Sequence, residues 1–114
     1  VIDEKNQYRP EEYWRDANDF AGSDGFIEIN INTQNYNFLS ANATNRYKHV
    51  YGIREVKRDI FFVRPDYFII YDNINADTPH EYTWISHFGS GVKVERNWVK
   101  GNAGNQTLGI GILN

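Results

Sequence analysis

The stretch Arg58–Phe88, RDIFFVRPDYFIIYDNINADTPHEYTWISHF, decides the fold. Ile60-Phe-Phe-Val63 is apolar at every position, and Tyr67–Asp72 is nearly so. Such runs read as strands that enter a two-sided core. Between them, Arg64-Pro-Asp-Tyr67 reads as a type I turn, with proline fixing φ at the second position and aspartate accommodated at the third. Two apolar runs joined by a short turn make a hairpin. The first run extends backwards through Arg54, Val56 and Arg58, which alternate with Glu55, Lys57 and Asp59, so its strand covers Arg54–Val63. Beyond the hairpin, Asn73–Pro79 has loop composition. His80–Phe88 then reads as a strand with Tyr82, Trp84 and Phe88 on one face.

Working outward, Ile27, Ile29 and Ile31 alternate with Glu28, Asn30 and Asn32, a half-buried strand with one wet face. Asn35–Leu39 is its short partner, Ser40–Asn45 a loop, and Arg46–Tyr51 a further strand broken by Gly52. On the other side, Gly89-Ser-Gly91 turns the chain into a strand over Gly91–Trp98. A Gly/Asn loop over Lys100–Gln106 follows, and Thr107–Leu113 is the last strand. Residues 1–25 read as an irregular lead-in, in which Pro10-Glu-Glu-Tyr-Trp-Arg-Asp16 opens a single helical turn at most. About eight short strands with turn signals between them indicate one all-β domain over residues 1–114, an antiparallel β-sandwich.

Composition narrows the classes. The 114 residues are 40% hydrophobic and 16% aromatic, a β-leaning balance suited to one core. A net charge of −3 gives a nucleic-acid partner no electrostatic support. No apolar run reaches the roughly 18 residues that a membrane helix needs. Cysteine is absent, which excludes disulfides and thiolate metal sites. With no methionine anywhere, and with Leu108-Gly-Ile-Gly-Ile-Leu-Asn114 stopping inside strand-like sequence, the chain reads as an excerpt of a longer protein.

No GxSxG elbow, P-loop or GxGxxG stands in the sequence, so the hydrolase elbow and the common nucleotide cradles lack support. The histidines are His49, His80 and His87, none at helical zinc spacing, so a metal site must be assembled from separate strands. Asp72 ends one strand and His87 lies near the end of another. They are the candidate metal ligands, although spacing alone favours reading them as a loop cap and a hydrogen-bonded edge residue. A simple hairpin sets Asp72 opposite His80 and leaves His87 about 24 Å further along, at about 3.4 Å per residue. Tyr82 and Trp84, with Tyr67, Tyr71 and Trp98, offer flat faces on which sugar rings stack, unless they are core.

Arg58–Asp72 followed by His80-x-Tyr-x-Trp-Ile-Ser-His-Phe88 resembles the C-terminal β-sandwich of heparinase II/III-like polysaccharide lyases, and Leu108–Leu113 resembles the strand that follows in that domain. The resemblance implies a parent chain in which an N-terminal α/α toroid packs on this region. An acidic polysaccharide would lie in the cleft between them and be cleaved by β-elimination, in a bacterial protein that is secreted or periplasmic. It implies that most catalytic groups belong to the toroid, and it assigns none to this chain. It also implies zinc held by a His, Asp, His set, with Asp72 matching the aspartate and His87 the second histidine. The first histidine is expected about 16–18 residues before Asp72, by resemblance alone, where the chain reads Arg54-Glu-Val56. Glu55 could stand there as an oxygen ligand, and His49 is offset. The expected function is one wall of a lyase cleft, with Tyr82 and Trp84 on the substrate. The alternative is a non-catalytic carbohydrate-binding or structural sandwich.

Overall fold

The computed structural model describes residues 1–7 and 24–113. The lead-in segment around Pro10–Asp16 lies outside them. The described chain is nearly all β and falls into two compact units, Val1–Thr83 and Trp84–Asn114. No helix among the described residues is long and apolar enough to cross a membrane.

The first unit holds β1 (Phe26–Asn32), β2 (Tyr36–Asn42), β3 (Ile53–Val63) and β4 (Tyr67–Ala76), hydrogen-bonded in that order as an antiparallel meander. The expected hairpin is its centre, with Val63 opposite Tyr67 and ten register pairs running back to Ile53 opposite Ala76. Its turn differs from the expectation. The Arg64–Pro65 peptide is cis and the Asp66 N–H donates to the Val63 carbonyl at 2.8 Å, so proline stands third in the turn rather than second. Both faces of β3 carry rings, but the two-sided core expected of the hairpin is not closed among the described residues: β3 is mostly half-buried, and Tyr67–Asp72 of β4 is exposed along its length. Phe61 stacks on Tyr36 at 5.0 Å on one face, and Phe62 stacks on Phe68 at 4.3 Å on the other.

β4 runs on to Ala76, four residues past the expected end. The Asn-rich segment Asn73–Ala76 has loop composition, yet β3 is long enough to pair with all of it, and Ile74 alternates inward. Arg46–Tyr51 is not a strand. Thr44–Tyr47 forms a 3-10 turn and the chain keeps turning to Gly52. Its backbone closes on itself instead of on a ladder: the Arg46 N–H donates to the Ala43 carbonyl at 2.9 Å and the Val50 N–H to the Tyr47 carbonyl at 2.8 Å, while Asn42 Oδ1 holds the entry by accepting from the Thr44 N–H at 2.9 Å. Tyr47 and Val50, three residues apart, both turn inward and join Ile2 as the buried hydrophobic side chains of this unit, packed against Ile53, Val56 and Ile74.

His80–Phe88 is not a strand either. Its pairing is an isolated bridge between Ile2 and Tyr82. Residues 1–3 supply the partners, through Asp3 N–H to the Glu81 carbonyl and Thr83 N–H to the Val1 carbonyl, each at 2.9 Å.

The second unit holds β5 (Ser90–Glu95), β6 (Trp98–Ala103) and β7 (Gln106–Gly111), a three-stranded antiparallel meander. β6 occupies most of the expected Lys100–Gln106 loop. Gly101 explains why a glycine-rich stretch can be strand here. Phe88 lies directly on it, so that a Cβ at this position would overlap the ring. The described chain therefore has seven strands in two antiparallel sheets, where the sequence pattern indicates about eight.

Candidate functional site

Register places residues that sequence spacing could not. Opposite residues of an antiparallel pair share a face. The row Asn32–Asn37–Phe62–Phe68 therefore crosses all four strands on one side of the first sheet. Arg64, two residues beyond Phe62, folds over the amide end of this row. Its Nε donates to Asn37 Oδ1 at 2.7 Å and its Nη2 to Asn32 Oδ1 at 3.0 Å, while Asn37 Nδ2 donates to the same Asn32 oxygen at 2.8 Å. At the other end the Phe68 ring lies nearly parallel to Phe62, with 11° between the planes, and Phe68 remains 63% exposed.

Further along the same face Arg58 is the register partner of Asp72. Its Nε and Nη2 donate to the two carboxylate oxygens at 2.6 and 2.7 Å, a bidentate fork. The bond to Asp72 raises the Arg58 pKa above its ordinary value. The opposite face carries a second charged group, where Lys57 Nζ sits 2.9 Å from Glu55 and 3.1 Å from Glu28, and Asn42 donates to Glu28 at 2.9 Å. The amide of Asn42 and then the lysine hold the Glu28 carboxyl below its ordinary range.

A third cluster joins residues 1–7 to the end of the unit. His80, its side chain only 6% exposed, reaches Asp3 Oδ2 through Nδ1 at 2.6 Å and Thr78 Oγ1 through Nε2 at 3.1 Å. The Glu81 N–H donates to Asp3 Oδ1 at 2.9 Å. His80, and then this N–H, keep the Asp3 carboxyl below its ordinary range.

Of the residues singled out by sequence, Asp72 is engaged with Arg58, and His87 is exposed in the second unit. Both Asp72 oxygens accept from the guanidinium, so a metal there would have to displace a bidentate ion pair. Among the described residues no three His, Cys, Asp or Glu side chains group to hold a metal. The expected zinc does not fit this donor arrangement. Glu55 lies beside Lys57 and His49 is exposed. Tyr82 and Trp84 are 47% and 44% exposed, but the strand that was to set them on one face is missing. Arg64, Asn32 and Asn37 carry no motif. Their meeting depends on strand register, and the one available signal was the asparagine at alternate positions 30 and 32 of β1.

The family described as Heparinase II/III-like, C-terminal matches residues 1–109. The chain belongs to this family. No curated protein and no solved structure gives a significant match. Family membership links the chain to polysaccharide lyases, and so to a polysaccharide substrate and a multidomain parent.

Proposed function

We propose that this chain is the β part of a polysaccharide lyase that cleaves an acidic, uronate-containing polysaccharide by β-elimination, and that it lines one wall of the substrate cleft. Membership of the heparinase II/III-like C-terminal family across residues 1–109 carries the reading. Elimination needs a group that neutralises the uronate carboxylate and a base that removes the C5 proton, both at the reacting sugar. In this reading those groups come from the toroidal part of the parent. This chain contributes binding surface, including the exposed rings of Tyr82 and Trp84. The parent acts outside the cytoplasm, where such polymers are met.

The test uses the 114-residue chain and its parent side by side on alginate and heparan sulfate, reading the ultraviolet absorbance of the unsaturated uronate product. The expected outcome is product from the parent, and binding without product from the chain alone. Product from the chain alone would place the base within it and overturn this assignment. A parent that binds polysaccharide and yields no product would leave the non-catalytic carbohydrate-binding alternative, which the exposed aromatic rings also favour.

A further inference from the structure

The second sheet has two unlike faces. On one, register sets Val94 opposite Val99 and Val99 opposite Ile110, and Phe88 lies on Gly101. The other face carries Glu95, Trp98 and Gly111 in one row, and Lys93, Lys100 and Gly109 in the next. Asn102 follows in the third row, where its Oδ1 accepts from Thr107 Oγ1 at 3.4 Å. Trp98 therefore stands on the charged face, 53% exposed, and not among the apolar side chains.

The two glycines let its ring lie down. A Cβ at Gly111 would stand 3.1 Å from Trp98 Cη2, and one at Gly109 3.8 Å from Cζ3, so the six-membered ring covers both. One side of the indole rests on β7 and the other is open. Gly109 is the register partner of Lys100, which sets that lysine beside the covered glycine. Lys93 is paired with Lys100 on its other side, one strand spacing or about 5 Å away.

Two lysines directly opposite each other repel. The Glu95 carboxylate reaches Lys100 at 3.9 Å, with both side chains more than half exposed, and Lys93 has no ion pair among the described residues. A flat apolar platform with an excess of positive charge beside it, on one side of one sheet, is complementary to an anionic sugar. The CH face of the sugar ring lies on the indole, its carboxylate or sulfate meets the lysines, and hydroxyls meet Glu95 and Asn102. From Trp98 to Asn102 is about 14 Å at about 3.4 Å per residue, room for a short oligosaccharide.

We propose that Trp98, Lys93 and Lys100 form a subsite for an anionic sugar on the second sheet. The proposal rests on the polysaccharide reading above and adds to it where a charged sugar unit lies. The test is titration calorimetry on the 114-residue chain. Its ligands are an oligomannuronate tetrasaccharide, the same tetrasaccharide with its carboxyl groups reduced to alcohols, and a heparin tetrasaccharide. Replacing both lysines, Lys93→Ala with Lys100→Ala, is expected to weaken the charged ligands about tenfold and to leave the reduced one unchanged. Whichever charged ligand loses more identifies carboxylate or sulfate as the anion that is read. Trp98→Ala should weaken all three about fivefold through lost stacking.

Trp98→Ala also uncovers two glycines. If it fails to fold, the lysine variant and the reduced ligand on the unaltered chain still test the site. Equal affinity of the unaltered chain for native and reduced oligomannuronate, with heparin binding indifferent to the lysines, overturns the subsite. Binding of the charged ligands unchanged in both variants removes the subsite and leaves the polysaccharide reading standing. No binding of any of the three ligands removes both.

Discussion

Arg58 and Arg64 sit six residues apart on one face of the same hairpin, and what each meets gives it a different role. Arg58 meets a carboxylate in a bidentate fork and locks β3 to β4. Both side chains are partly exposed, so solvent screens the pair. Arg58→Ala is expected to lower unfolding free energy by only about 1 kcal/mol, less at high salt, as read by urea titration. Asp72→Asn should leave zinc content by elemental analysis unchanged, because both Asp72 oxygens already accept from Arg58. Asp3 gives a pH signature. Its folded pKa lies below its ordinary 3.8, so its contribution is complete above that value and disappears as pH falls through the folded pKa. The melting temperature of Asp3→Asn should therefore trail the unaltered protein at neutral pH and converge with it in acid below pH 3.8. A gap that persists into strong acid would show that the carboxylate charge is irrelevant.

Among the elements, those with clean alternation or unbroken apolar runs were legible. β1 follows from Ile27, Ile29 and Ile31, and the β3–β4 hairpin from two apolar runs around a proline, but their burial does not: every residue of β1 is exposed, and so is Tyr67–Asp72. The errors fall where a partner outside the local window decides. Asn73–Ala76 is strand because β3 extends far enough to pair with it. His80–Phe88 reads as a strand from its aromatic alternation, yet it is paired only at its beginning, by residues 1–3. Arg46–Tyr51 has strand composition, but the Arg46 and Val50 N–H groups bond back to the Ala43 and Tyr47 carbonyls and the chain turns. The cluster of Arg64 with Asn32 and Asn37 was illegible for the same reason, since these residues come together only once register is known. β6 supplies a test at this scale. Gly101→Ala should destabilise by about 1–3 kcal/mol through overlap with Phe88. Adding Phe88→Ala should recover part of that loss in a double-mutant cycle. Simple additivity of the two would separate Gly101 from the ring.

For the molecule as a whole, a net charge of −3 means that an acidic polymer approaches against the overall field. In the proposed function attachment must then come from local contacts rather than the overall field, and affinity should fall only shallowly as salt rises. Surface plasmon resonance at several ionic strengths reads this directly, and a steep loss would mean that further cations engage. The pairing of residues 1–3 with residues 80–83 carries a consequence for how the chain is handled. Ile2 is 2% exposed and shares its core with Tyr47 and Val50, although no named strand includes it. A cloning boundary drawn from the strand map, starting shortly before Phe26, would discard this residue along with Asp3 and leave His80, Tyr47 and Val50 facing water. Such a shortened gene should yield insoluble protein while keeping every strand of both sheets, and restoring residues 1–7 in one polypeptide should return it to the soluble fraction.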